Sequence, residues 1–316
     1  MIEKPITIVS IGGNALIRKG EKGEIAEQFE HTERCMTYVA RLAAQGFRIA
    51  ITHGNGPIVG NIVIRNEAAK DIIPAMPLYI CNADSGGGIG FMIQQTLYNQ
   101  LKQLNIKRSV AAIITQVVID KNDTAFSHPT KPIGPFYTKE EAVKNQKEKG
   151  WTIVEDSNRG YRRVVPSPKP LKVVEADVIK KLVLDGIIVI AAGGGGVPVA
   201  ESPDGSLKGM DAVIDKDLAT AVLAKEIKAE TFIDLTSIDK VYINFGKPNQ
   251  TGLDKLTLSE ARKYLDAGEF APGSMGPKIE AAIEFLEAGG KEVIITIPEF
   301  LEDALEGKAG TKITPL

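Results

Sequence analysis

Three lysines stand where a negative charge could be stabilised. Lys131 lies in Pro129-Thr130-Lys131-Pro132-Ile133-Gly134-Pro135, between prolines that stiffen the backbone. Lys216 sits between Asp215 and Asp217, and Lys278 follows Gly273-Ser274-Met275-Gly276-Pro277, so both fall at the start of an expected helix. A cation there opposes the helix dipole, which an adjacent anion would explain. A solvated surface position is the alternative for each. Phosphoryl transfer needs such fixed positive charge and no covalent nucleophile. Asp215 and Asp217 suit three roles: helix capping, orienting the lysines, or offering oxygens to Mg²⁺. His53 beside a glycine loop could exchange protons or simply hydrogen-bond the loop. No Ser or Cys nucleophile arrangement accompanies it.

Three glycine turns could admit an anion to the backbone: Gly12-Gly13-Asn14, Gly54-Asn55-Gly56 and Gly193 to Gly196. Without a Cβ, N–H groups can approach phosphate, and a following helix adds free donors. Steric demands of strand–helix turns are the alternative. The chain contains no G-x-x-x-x-G-K-[ST], so it is not a P-loop protein. Around Gly54-Asn55-Gly56 the last position of a G-x-G-x-x-G is Val59, which disfavours a dinucleotide site.

Each turn follows a strand. Ile6 to Ile11, Phe47 to Thr52 and Ile187 to Ala192 read as buried strands of a parallel sheet, and 109–118, 231–236 and 292–297 read as further strands. Helical spacing covers 26–45, a stretch from about Pro57, 89–104, 175–185, 215–228, 257–267, 276–288 and 298–306. The alternation predicts an open α/β sheet with helices on both faces, its ligands beyond the carboxyl ends of the strands. Residues from about Asp120 to Pro170 break the pattern. They are polar and proline-rich, with a short helix at 138–149 and short strands near 151–155 and 161–165, and they read as an inserted lid over the sheet edge.

Composition narrows the class. The 38 basic and 40 acidic residues nearly cancel, which gives no electrostatic reason for nucleic acid or an anionic membrane as partner. Apolar runs are too short to span a bilayer, and Met1 to Pro5 leads into a strand without a signal-peptide pattern, so a cytoplasmic protein is expected. Cys35 and Cys81 are expected as buried free thiols in a reducing compartment, although a disulfide is formally possible. The scattered Cys and His residues have no zinc-ligand spacing.

The motifs together resemble carbamate kinase, a member of the amino acid kinase family. They are Ile11 to Leu16, Thr52 to Pro57, Pro129 to Tyr137, Arg162 to Pro168, Ala192 to Pro198, Val213 to Ala219 and Gly273 to Lys278, in order over nearly the whole chain. The resemblance implies a three-layer αβα sandwich around a mainly parallel eight-stranded sheet, with a small inserted lid subdomain. It implies a single domain over 1–316, with an N-lobe (1–185) for the acceptor and dimerisation and a C-lobe (186–316) for nucleotide. It implies a homodimer that transfers phosphoryl between ATP and carbamate, giving ADP and carbamoyl phosphate, often in reverse during arginine or purine-derivative catabolism. Carried over by position, Gly12, Gly13, Asn14, Gly54 and Asn55 would surround the acceptor. Lys131 would reach in from the lid, Lys216 would bridge donor and acceptor, Asp217 would orient the lysines and Lys278 would hold phosphates. Gly194, Gly195, Lys216, Thr236, Ile238, Val241, Tyr242, Met275 and Lys278 would form the nucleotide side. Mg²⁺ would arrive with ATP or ADP, carried by its phosphates, with no metal ligand from the chain. One segment departs from the family pattern: Cys81-Asn82-Ala83-Asp84-Ser85-Gly86-Gly87-Gly88 replaces a Cys-Gly-Ala-Met-Ser-Gln-Gly-like stretch. Asp84 would either face the acceptor or cap the next helix. Another small acid as acceptor, or a non-catalytic nucleotide sensor, are the competing readings.

Overall fold

The structure is a computed structural model that describes residues 4–12, 23–155 and 160–316. The chain runs β1 (Ile6–Ile11), α1 (Ile25–Ala44), β2 (Arg48–His53), α2 (Gly56–Ala69), α3 (Leu78–Gln103), β3 (Val110–Ala112) and β4 (Gln116–Ile119). Then come β5 (Lys131–Tyr137), α4 (Lys139–Lys149), β6 (Ile153–Glu155), β7 (Tyr161–Val165), β8 (Pro170–Val173), α5 (Ala176–Leu184) and β9 (Ile188–Ile190). The remainder is β10 (Val197–Glu201), β11 (Leu207–Gly209), α6 (Lys216–Ile227), β12 (Thr231–Leu235), β13 (Val241–Ile243), β14 (Thr251–Leu253), β15 (Lys255–Thr257), α7 (Leu258–Asp266), α8 (Met275–Glu287), β16 (Glu292–Thr296), α9 (Leu301–Leu305) and β17 (Thr311–Thr314).

All six residues of β1 are buried, as expected of a strand covered on both faces. Ile6 and Ile8 pack with Ile179 of α5, Leu223 of α6 and Ile279 of α8. Val9 and Ile11 pack on the opposite face with Met36 of α1, Ile93 of α3 and Leu301 of α9. Helices on both sides therefore enclose an eight-stranded sheet of order β15-β17-β16-β12-β1-β2-β9-β3. Its strands pair in parallel except β16 with β17. This is the mainly parallel three-layer αβα sandwich expected.

The lid region folds as a three-stranded antiparallel sheet, β5-β7-β6, with α4. β5 is at its edge, which accommodates Pro132 and Pro135. A Thr138–Glu141 capping box starts α4 and Gly150, at φ 64°, ends it. The lid is seated on α2 by a glycine pair: a Cβ on Gly60 would lie 2.1 Å from Gly134 Cα.

Three expectations require correction. The helix expected over 89–104 begins at Leu78, so the glycine-rich segment is helical. Asp84 is exposed within α3, neither facing inward nor capping a helix. The strand expected over 109–118 is two strands, because Thr115 turns the chain between sheets. Its hydroxyl accepts from Ala192 N–H at 2.9 Å and its carbonyl accepts from Val197 N–H at 2.8 Å. β3 stays in the large sheet, whereas β4 joins β11-β10-β4-β8. Cys35 and Cys81 are buried free thiols, and burial followed by Glu299 pushes the Cys35 thiol up to about 12.

Candidate active site

The parallel strands β1, β2, β9 and β12 send their carboxyl ends, and the turns after them, to one edge of the sheet. The turn donors are partly committed there. Gly12 N–H donates to Leu235 O at 3.0 Å and Gly54 N–H donates to Ile11 O at 2.9 Å. Gly13 and Asn14 lie outside the described residues. In the third turn, Gly195 N–H donates to Ala192 O and Gly196 N–H to Gly193 O, closing a short 3₁₀ turn.

Close packing explains the four glycines of that turn. A Cβ on Gly193 would meet His53 Nε2 at 2.5 Å, one on Gly194 would meet Asn55 Nδ2 at 2.2 Å, and one on Gly195 would meet Ile214 O at 2.3 Å. Gly194, Gly195 and Gly196 also have positive φ, where a side chain is strained. The turn is thus clamped between the β2–α2 loop and the approach to α6. Both amide hydrogens of Asn55 are used inside the protein, one to Asn82 Oδ1 and one to Ser85 Oγ. Asn82 Nδ2 in turn donates to Gly196 O at 2.5 Å.

Beside these turns lies a buried charge cluster. Lys216, the first residue of α6, directs Nζ to Ser10 Oγ on β1 at 2.7 Å, to Asp217 Oδ1 at 2.5 Å and to Asp234 Oδ1 on β12 at 3.4 Å. Lys278 Nζ, from the first turns of α8, lies 2.8 Å from Asp234 Oδ2 and 3.4 Å from both oxygens of Asp217. The Asp234 Oδ2 contact is an ion pair without hydrogen-bond alignment, so that oxygen accepts no directed bond. Two carboxylates therefore hold two ammonium groups at the sheet edge. Burial alone would raise the Asp217 carboxyl, but the Lys216 and Lys278 charges outweigh it and hold Asp217 well below the usual carboxylate range. Burial opposes the charge on Lys278, yet Asp217 and Asp234 hold its ammonium well above the usual range.

The lid supplies the third lysine. Lys131 Nζ pairs with Asp215 Oδ2 at 2.5 Å. The other oxygen of Asp215 accepts from Asp217 N–H at 2.8 Å, so Asp215 caps α6 and anchors the lid lysine together. Asp217 instead pairs with Lys216 and Lys278. Lys216 and Lys278 therefore share the carboxylates of Asp217 and Asp234, and Lys131 is linked to them through Asp215 and the Asp217 N–H.

Of the residues expected on the nucleotide side, Thr236, Ile238, Val241, Tyr242 and Met275 follow β12 or open α8, whereas Gly194 and Gly195 lie in the third turn against Asn55 and Ile214. Thr236 N–H donates to Thr296 O at 2.9 Å, and Ile238 and Met275 pack against the core. Val241 is fully buried, so it supports that region from behind. Tyr242 is partly buried and its hydroxyl donates to Asp239 Oδ1 at 2.9 Å.

Ser10 and Asp234 were not singled out from the sequence, and Asn82 and Ser85 were named only within the segment that departs from the family pattern. Asp234 had a signal: a lone acid in the otherwise apolar strand Thr231-Phe232-Ile233-Asp234-Leu235. Asn82 and Ser85, three apart on α3, are buried polar residues on one helix face.

His53 serves the structure. Its Nδ1 lies 3.0 Å from Gly54 O, which calls for a proton on Nδ1. Burial is the main cause that lowers it from 6.5 to about 4; the Gly54 hydrogen bond opposes that shift and the Lys216 charge adds to it. Between those values the unfolded chain binds a proton that the folded chain refuses. Stability therefore falls as pH drops through that window, by on the order of 3 kcal/mol in full. Urea unfolding of His53→Gln should lose less stability than wild type between about pH 7 and about pH 4.5. Equal losses in the two proteins would remove His53 from that role.

The family pattern of the amino acid kinases matches residues 5–296. The carbamate kinase of Thermococcus kodakarensis is 48% identical over 309 residues, covering 97% of this chain and 98% of its own. The carbamate kinase-like protein YahI of Escherichia coli is 47% identical over 313 residues, covering 98% of this chain and 99% of its own. The structure of Giardia lamblia carbamate kinase bound to citric acid superposes with a TM-score of 0.94 at 40% identity, over 99% of both chains. The same enzyme bound to AMP-PNP gives 0.91 at 41% identity, again over 99% of both chains. The chain belongs to the amino acid kinase family and, within it, to the carbamate kinase branch.

Proposed function

We propose that the protein catalyses reversible phosphoryl transfer between ATP and carbamate, yielding ADP and carbamoyl phosphate. The observation that carries this reading is the pair of buried lysines, Lys216 and Lys278, fixed by Asp217 and Asp234, with Lys131 brought to the same acid-capped helix by the lid. In the forward direction a carbamate oxygen attacks the γ-phosphorus as the bond to the ADP oxygen breaks. Charge spreads over the phosphoryl oxygens, and preorganised ammonium groups stabilise it without rearranging. Lys216, nearest Ser10 at the strand end, suits the moving phosphoryl group. Lys278 suits the nucleotide phosphates, and Lys131 neutralises charge from the lid side. Asp217 and Asp234 hold the lysines in position and take no proton.

Among the described residues no group of three or more His, Cys, Asp or Glu side chains gathers to hold a metal ion. Asp217 and Asp234 are committed to lysines, so these two carboxylates do not fit a protein-built Mg²⁺ cage. The ion is assigned to the nucleotide phosphates, and no step here depends on a protein-bound metal. We assign 1–185 to acceptor binding and dimerisation, and 186–316 to nucleotide binding. Exposed Phe91 and Tyr98 on α3, beside the edge strand β3, support a homodimer. No helix among the described residues is long and apolar enough to cross a membrane. That is compatible with cytoplasmic work in arginine or purine-derivative catabolism.

ADP-dependent ATP formation from carbamoyl phosphate with Mg²⁺ tests the proposal. Wild type should be active, and Lys131→Ala should lower turnover by ~10²-fold, the scale for one charge-stabilising donor. Absence of activity in folded wild-type protein would sink the reading. Near-normal turnover in the variant would remove Lys131 from it.

A further inference from the structure

A cavity of about 440 Å³ lies between the lid and α2. This is a size that accommodates small ligands. Lys131, Asp215, Lys216, Asp217 and Lys278 do not line it. Four charged side chains do: Lys149 and Arg163 from the lid, and Glu67 and Asp211 from the body.

The two acids are committed elsewhere. Glu67 Oε1 lies 2.8 Å from Lys70 Nζ, and Asp211 Oδ1 accepts from Leu78 N–H at 2.9 Å. The two cations are not. Arg163 lies over the Trp151 ring, its guanidinium carbon 4.6 Å from the centroid, and Lys149 Nζ lies 4.4 Å from the same centroid. Among the described residues neither side chain forms a hydrogen bond or a close ion pair, although the Glu67 and Asp211 charges act on Arg163. Stacking on an aromatic ring orients a guanidinium but leaves its in-plane N–H donors unused. Arg163 is partly buried, so solvent satisfies those donors less fully than at an open surface. The two positive and two negative charges of the cavity balance, and Glu67 and Asp211 both act on Arg163; what the guanidinium leaves unpaired is a planar fork of N–H donors that matches an oxyanion.

We infer that this cleft is an anion-binding site, separate from the lysine cluster, for a small organic molecule carrying a carboxylate or phosphate group. Arg163 is the main contact and Lys149 the auxiliary one. Because its walls come from both lid and body, an occupant ties the element that carries Lys131 to α2. Occupancy therefore favours the seated lid.

Trp151 is the only tryptophan of the chain and lies in the cavity wall, so its fluorescence reports the site directly. Full-length protein is titrated with succinate and, separately, with inorganic phosphate. A saturable change is expected with at least one, and the responding arm identifies carboxylate or phosphate as the recognised group. Arg163→Gln should raise the apparent Kd by about tenfold or more, the worth of a charge-assisted hydrogen bond. Lys149→Gln should raise it by roughly threefold, and it stands in if Arg163→Gln fails to fold. Lys216→Ala should leave the affinity unchanged, which separates this site from the proposed kinase chemistry. No change with either anion overturns the inference. So does a response lost in Lys216→Ala and kept in Arg163→Gln and Lys149→Gln, since the anion would then occupy the lysine cluster.

Discussion

Lys216→Ala should lower ATP formation from ADP and carbamoyl phosphate by ~10²–10³-fold, mostly in kcat. The lysine is not a freely moving surface cation. Its Nζ is fixed by Ser10 on β1, by Asp217 on its own helix and by Asp234 on β12, with only 12% of the side chain exposed. A charge fixed at the carboxyl edge of the sheet stabilises developing phosphoryl charge without reorganisation, and water filling the truncated site does not reproduce it. Nucleotide affinity should change less, because Lys278 remains on the phosphate side. The measurement is steady-state kinetics in the ATP-forming direction at saturating ADP. A tenfold or smaller loss of kcat, with the main effect on KM for ADP, would show that Lys216 contributes only ground-state binding.

The parts of the site legible in the sequence and the parts that were not differ for physical reasons. Lys216 and Lys278 stood out because a lysine at a helix start contradicts the dipole, and a local contradiction marks function. Asp234 contradicts its surroundings equally, an acid inside a buried strand, yet its meaning depends on two lysines brought together only by the fold. Ser10 carries no local signal, since a serine in a strand is ordinary. The start of α3 was misread because Gly86-Gly87-Gly88 looks like a helix breaker, at about 1 kcal/mol per glycine relative to alanine. The helix forms through them all the same, and only at Gly90 is the space tight, where a Cβ would sit 3.2 Å from Ala112 Cβ; one at Gly86 would make an ordinary contact with Gly193 O at 3.6 Å and one at Gly88 would meet open space. Gly90 lets the helix approach the edge strand. The same helix brings Asn82 and Ser85 to Asn55, so a segment that departs from the family pattern is tied to the β2–α2 loop. Strands β13, β14, β15 and β17 were missed because three or four residues cannot display a period.

Asp217→Asn should destabilise the protein by about 3–5 kcal/mol, the usual consequence of leaving a buried charge without its partner. The substitution preserves shape and removes only charge. It leaves two largely buried ammonium groups, Lys216 and Lys278, with Asp234 as the remaining carboxylate bonded to them. The pH dependence follows from the sign of the shift. The Asp217 carboxyl is held below its ordinary 3.8, so its stabilisation is fully present above that value and is lost as pH falls through the folded-state value. The wild-type advantage should be constant around neutrality and shrink only in strong acid. Combining Asp217→Asn with Lys278→Met tests why the cluster exists. Removing the stranded charge should restore part of the lost stability, since apolar replacement of a buried pair is often tolerated. Activity should not return, because the second lysine is gone as well. If urea unfolding shows less than about 1 kcal/mol lost in the single variant, or no recovery in the double variant, the ammonium groups are not held by Asp217. Recovery of stability without activity would mean that the buried charges are retained for phosphoryl transfer at a cost to the fold.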